Sequence, residues 1–149
     1  MKSHIFARLS LLACLALFGA ALQAAPPDTG FIDLTDDPPR ELANISAGVP
    51  RGQELPENDP RVQQAREWLR QAATATQQSE EWIAANALKL ARYIFTVQGV
   101  RATPLEVLEA YARLAAPGKS LSDISAAYFE ARRKAPGRNH EAAMKALAP

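Results

Sequence analysis

The stretch SEEWIAANALKLARYIFTVQG, residues 79–99, decides the fold of this chain. Its apolar residues form two adjoining stripes at helical spacing, the first made of Ile83, Ala87, Leu90, Ile94 and Val97 and the second of Ala84, Leu88, Ala91 and Phe95. Adjoining stripes give a wide apolar face, which predicts a central and extensively buried helix. Ser79 can cap its N-terminus, and Gly99 can end it in the left-handed conformation.

Signals for further helices lie on both sides of this stretch. Asp59 before Pro60 favours a helix start, because proline suits the first helical position. Residues 103–106 (TPLE) form a capping box, and Ser120 and Asn139 can each cap a later helix. Together these signals predict an all-α fold, a small bundle or orthogonal array of about four to five helices behind an extended N-terminal arm.

Charge and proline content divide the chain into two parts. From residue 26 to 59 there are eight acids and two bases, a balance of −6, whereas residues 60–149 carry thirteen bases and eight acids, a balance of +5. We therefore assign residues 25–58 to an acidic, proline-rich and largely irregular arm and residues 59–149 to the helical domain. An apolar island in the arm, with Phe31, Ile32 and Leu34, predicts either an extended docking segment or a loop that covers the domain.

The first 24 residues have the order of a secretory signal peptide. Lys2 and Arg8 precede an uncharged stretch rich in Leu and Ala, and small residues follow, with cleavage expected after Ala24. An uncleaved membrane anchor is the alternative, and the Leu-Leu-Ala-Cys sequence ending at Cys14 resembles the lipobox of bacterial lipoproteins. Export to the bacterial periplasm, or secretion, is the localisation that this pattern predicts.

The mature chain offers few residues for catalysis. It has no cysteine and one histidine, His140, which we expect to form a surface pair with Glu141. We predict no catalytic site, metal site or cofactor, because zinc and nucleophilic sites need more such groups. The acidic pairs Glu80/Glu81 and Glu106/Glu109 leave a cell-wall-active enzyme as an alternative, although acids near a helix N-terminus also stabilise its dipole.

Two sets of residues are candidates for binding. The bases Arg132, Arg133, Lys134 and Arg138 predict either contact with anionic lipid, cell-wall polymer or an acidic partner, or a structural role at a helix C-terminus. Trp68 and Trp82 lie outside the strictest apolar stripes, which is typical of exposed anchors for a partner or of residues at the core edge.

Residues 108–133 resemble a helix-turn-helix, with a turn at Pro117-Gly118 and a second helix running towards Arg133. The resemblance implies DNA binding, but the predicted export argues against it, because an exported protein does not meet the chromosome. We therefore predict a non-catalytic exported protein that binds a macromolecule, above all a protein partner in the cell envelope. An envelope-complex accessory, a chaperone-like factor and an immunity-type inhibitor all fit this description.

Overall fold

The computed structural model describes residues 37–148, and within this range every regular element is helical. Its helices are α1 (Pro38–Ala47), α2 (Pro60–Thr76), α3 (Glu80–Gln98), α4 (Pro104–Leu114), α5 (Leu121–Lys134) and α6 (His140–Leu147), with a 3-10 turn at Pro136–Arg138. The all-α prediction is confirmed, with six helices instead of four to five. The predicted signal peptide, Cys14 and the apolar island of Phe31, Ile32 and Leu34 lie outside the described residues.

The residues that the sequence predicts to cap α2, α3 and α4 lie at the ends of these helices. The Asp59 carboxylate accepts a hydrogen bond from the backbone N–H of Arg61 at 2.9 Å, at the start of α2. The capping box of α4 is complete: Thr103 Oγ1 accepts from the Glu106 backbone N–H at 3.2 Å, and Glu106 accepts from the Thr103 backbone N–H at 3.0 Å. Gly99 ends α3 with a φ of 68°, a left-handed conformation that glycine adopts cheaply.

The assignment of residues 25–58 to an irregular arm does not hold for α1. Asp37 accepts a hydrogen bond from the Arg40 backbone N–H, and Pro38 and Pro39 occupy the first helical positions, where a missing donor costs nothing. Leu42 and Ala43 are fully buried, so this helix belongs to the core. The proline density that suggested an arm is therefore compatible with a short helix that begins at its prolines.

The chain after α1 is also tied to the helices. The side chain of Asn44, which is buried, accepts a hydrogen bond from the Leu55 backbone N–H at 2.9 Å. Leu55 packs with Ala43 and Val62 in a small apolar cluster beside the main core. The buried hydrogen bond, the apolar cluster and the ion pairs of Glu57 with Arg40 and Arg66 thus hold the α1–α2 connection against the bundle.

The prediction that α3 is the central helix is wrong, because α4 packs against all five of the other described helices and only its Arg113 is exposed. Helix α3 still contributes a large part of the core. It packs against α1, α2, α4 and α5, and Ile83, Ala87 and Ile94 are fully buried. The prediction that Phe95 and Val97 belong to its buried face is wrong, since their exposed fractions are 62% and 53%. Both lie in the last turn of α3, whereas Leu88, on the same side as Phe95 but nearer the middle of the helix, is buried.

Candidate functional site

Exposed large apolar side chains concentrate on one helix. Among residues 37–148 they are Trp82, Tyr93, Phe95 and Val97, all of them on α3 and all more than half exposed. At about 100° per residue, Trp82, Tyr93 and Val97 fall within about 60° of one another, whereas Phe95 lies on the other side of the helix. We call Trp82, Tyr93 and Val97 the α3 stripe. It runs for about 22 Å along the helix axis.

The N-terminal part of the α3 stripe borders a groove between α3 and α5. The groove has a volume of about 670 Å³, and its apolar lining comes from Trp82, Leu90, Tyr93 and Leu121. A volume of this size lies within the range of ordinary ligand pockets. An open, largely apolar groove beside exposed aromatic rings is the most distinctive surface feature of the described chain.

A hydrogen-bonded pair forms the floor of this groove. Tyr111, fully buried, lies with its hydroxyl 2.8 Å from Ser125 Oγ, and Ser125 in turn donates to the Leu121 carbonyl at 2.8 Å. Because the Ser125 hydrogen is used in that bond, the Tyr111 hydroxyl donates to Ser125. Burial raises the pKa of Tyr111 to about 12, so this floor stays uncharged at neutral pH. The hydrogen bond between Tyr111 and Ser125 joins α4 to α5 beneath the groove.

Lys89 is the one charged residue among those that line the groove. Its ammonium lies 5.7 Å from the centre of the Trp82 ring, within the range of a cation–π contact. The remaining lining residues are neutral, with hydroxyl or amide groups such as those of Ser122, Asn86 and Gln78. The groove therefore combines an apolar wall, neutral polar groups and a single positive charge.

Arg132 does not belong to an exposed basic cluster. Its exposed fraction is 2%, and its guanidinium donates to Glu106 Oε2 at 3.2 Å, to the Tyr128 hydroxyl at 3.0 Å and to the Arg101 carbonyl at 3.1 Å. The reason is its position on α5, which points the side chain back between α4 and the turn after α3. Arg132 thus stabilises the fold and is inaccessible to a large partner.

The other predicted bases are exposed but partly engaged. Arg133 forms an ion pair with Glu130 at 2.7 Å, and Arg138 donates to the Gln98 carbonyl. Lys134 is exposed near the end of α5. The cluster that the sequence presents as four neighbouring bases is therefore divided, with one member inside the protein and another neutralised by a carboxylate.

His140 is not a surface partner of Glu141. Its Nδ1 lies 2.7 Å from the Tyr128 hydroxyl and its Nε2 lies 3.2 Å from Glu109 Oε2. Tyr128 accepts from Arg132, so its own hydrogen can go to His140 Nδ1, and Nε2–H then faces Glu109. This chain of hydrogen bonds connects α4, α5 and α6, and it engages both ring nitrogens of the histidine.

The two tryptophans have different surroundings. Trp68 is half-buried and packs against the main core, which matches the core-edge interpretation. Trp82 is 52% exposed and borders the groove, which matches the exposed-anchor interpretation. Sequence reasoning identified Trp82 but missed Tyr93 and Lys89. Their spacing from Trp82, 11 and 7 positions, would have placed them on the same side of α3.

Comparison with protein-family models, curated proteins and solved structures found no match to this chain. Within residues 37–148, no group of three or more His, Cys, Asp or Glu side chains is arranged to hold a metal ion. In the same range, no helix combines the length and apolar character needed to cross a bilayer.

Proposed function

We propose that this chain is an exported, non-catalytic helical protein that acts by binding a protein partner in the cell envelope. The observation that carries the proposal is the concentration of exposed apolar side chains on α3. Scattered apolar residues are normal on protein surfaces, but aromatic side chains aligned along one helix and bordering a groove are typical of interaction sites. Tryptophan and tyrosine are also the residues that most often dominate binding energy.

Export is supported by the N-terminal sequence alone, with its positive start, apolar centre and small residues before Ala25. The absence of cysteine from the rest of the chain agrees with a periplasmic protein that relies on packing.

The alternative binding mode, through C-terminal bases to anionic lipid or glycan, has less support. Arg132 is buried and Arg133 is paired with Glu130, so fewer positive charges remain available there than the sequence suggests. Surface attraction to anionic polymers depends on several unneutralised charges acting together. The α3 stripe is therefore the better-supported surface.

Photocrosslinking in living cells tests this proposal. A photoreactive phenylalanine analogue is placed at Tyr93, on the α3 stripe, and in a matched strain at Gln64, which is exposed on α2. We expect a discrete protein adduct from position 93 that is weak or absent from position 64 and is lost when Trp82→Ser is added. Equal labelling from both positions, or no adduct from position 93, would contradict a protein-binding role for α3.

A further inference from the structure

We infer that the groove between α3 and α5 binds an apolar peptide segment of the partner that carries a carboxylate for Lys89. This inference rests on the proposed protein-binding function and names the chemistry of the partner. It starts from the composition of the groove, in which four apolar side chains form the wall and one ammonium is the only charge among the lining residues.

The sign of the charge selects the partner. No carboxylate lines the groove, and the nearby Asp123 is occupied at the start of α5, where it accepts from the Ser120 hydroxyl at 2.7 Å. An acidic side chain that enters the groove therefore meets Lys89 without a competing acid in the lining. Lys89 is exposed beside the Trp82 ring, so its ammonium can reach a carboxylate on a segment that lies in the groove.

The apolar wall requires apolar side chains from the same segment. Leu90 is partly exposed and Trp82 and Tyr93 are more than half exposed, so these three side chains present apolar area that a partner would remove from water, whereas Leu121 is buried beneath the groove. Hydroxyl and amide groups such as those of Ser122 and Asn86 can form hydrogen bonds with the backbone of a bound peptide. Recognition of an amphipathic segment by an apolar groove is an established mode of peptide binding.

The contacts of the two exposed rings are compatible with a bound peptide. Lys89 lies over the Trp82 ring at 5.7 Å, and the Tyr93 ring packs against Phe129 with centroids 5.2 Å apart. Each ring is more than half exposed beside these neighbours, so apolar side chains of a peptide can pack against the exposed part.

The test uses a phage-displayed library of random peptides selected on the purified protein. We expect the selected peptides to combine apolar residues with at least one Asp or Glu. A Lys89→Glu variant should bind them about tenfold or more weakly, since a close opposite charge becomes a like charge. Replacing the peptide acid by Lys should restore binding to Lys89→Glu. The matched control is Lys145→Glu, the same charge reversal on α6, which should bind like the unchanged protein.

Several results would overturn the inference. They are selected peptides without acid enrichment, equal binding by Lys89→Glu, or no selected peptide at all. Preferred binding of soluble cell-wall fragments or anionic vesicles, or self-association that depends on Trp82, would assign the groove to another occupant. Lys89 is exposed, so circular dichroism of Lys89→Glu should be unchanged, which separates lost binding from lost folding.

The crosslinking experiment distinguishes this inference from the proposed function. If the adduct from position 93 persists in Lys89→Glu, the chain binds a protein, but Lys89 does not recognise an acidic residue of that partner. If the adduct is absent altogether, the protein-binding proposal itself fails.

Discussion

Replacing Arg132 by methionine should destabilise the fold by about 3 kcal/mol. The substitution keeps most of the side-chain volume and removes the guanidinium, which is 2% exposed and makes three hydrogen bonds. The bonds to the Tyr128 hydroxyl and the Arg101 carbonyl contribute about 1.5 kcal/mol each, because the donor is charged. The ion pair with Glu106 adds about 0.5–1 kcal/mol, since the Glu106 side chain is 32% exposed and its charge is screened by water.

One opposing effect reduces the loss of stability expected for Arg132→Met. The buried Nε atom of Arg132 has no hydrogen-bond partner among the described residues, and removing an unsatisfied buried donor regains about 1 kcal/mol. The net loss is therefore about 3 kcal/mol, at the lower end of the range for breaking a buried ion pair by removing one partner. Glu106 remains partly solvated and still accepts from the Thr103 backbone N–H, so it is not left as an uncompensated charge.

Urea unfolding followed by far-UV circular dichroism measures this loss. Arg133→Met is the matched control, because Arg133 is the next residue on α5 and its ion pair with Glu130 is exposed. The control should leave the free energy of unfolding nearly unchanged, because water screens an exposed ion pair. A loss below about 1 kcal/mol for Arg132→Met, or equal losses for both variants, would refute the reasoning that burial makes Arg132 structurally important.

Three further predictions concern caps and titrating groups. Burial raises the pKa of Tyr111 to about 12 from 10.0 and raises that of Tyr128, so stability should fall as pH rises from about 10 through 12, with their tyrosinate absorbance appearing together with loss of helicity. Hydrogen bonds from Arg61 lower the pKa of Asp59 to about 2, so its stabilising effect should be lost as pH falls below 3.8, and Asp59→Asn should flatten that part of the stability curve. Thr103→Ala should cost about 1 kcal/mol in urea unfolding by opening the capping box.

Helix ends were predictable because their signals are local. A cap such as Thr103 and its partner Glu106 are three residues apart, and they interact as soon as the helix forms. The contribution of α3 to the core was also predictable, because its apolar residues recur at helical spacing. The central position of α4 was not predicted, since it depends on how the helices pack. Helix α1 was missed although Asp37-Pro38-Pro39 carries the same type of local signal, since the proline content of the whole segment was given more weight.

The surroundings of Arg132 and His140 were not predictable from local sequence. Arg132 meets Glu106 and Arg101, which are 26 and 31 positions away, and His140 meets Glu109 at a separation of 31. Such contacts depend on how α4, α5 and α6 pack, and several packings agree with the same helix pattern. Charge counting along the sequence therefore overestimated the exposed basic surface near the end of α5.

The dependence of burial on helix packing also explains why the α3 stripe could be identified only from the structure. The sequence predicts a wide apolar face on α3, and a wide face can be covered fully or only at its centre. Ile94 and Ala87, at the centre, are fully buried, whereas Val97, at the edge, is more than half exposed. Burial of the central residues accounts for folding, but it does not account for aromatic side chains such as Trp82 and Tyr93 beside an open groove. A second molecule that covers Trp82 and Tyr93 would explain why these apolar side chains lie on the surface. Lys89, which lies between them in the sequence of α3, would then select a negatively charged group on that molecule.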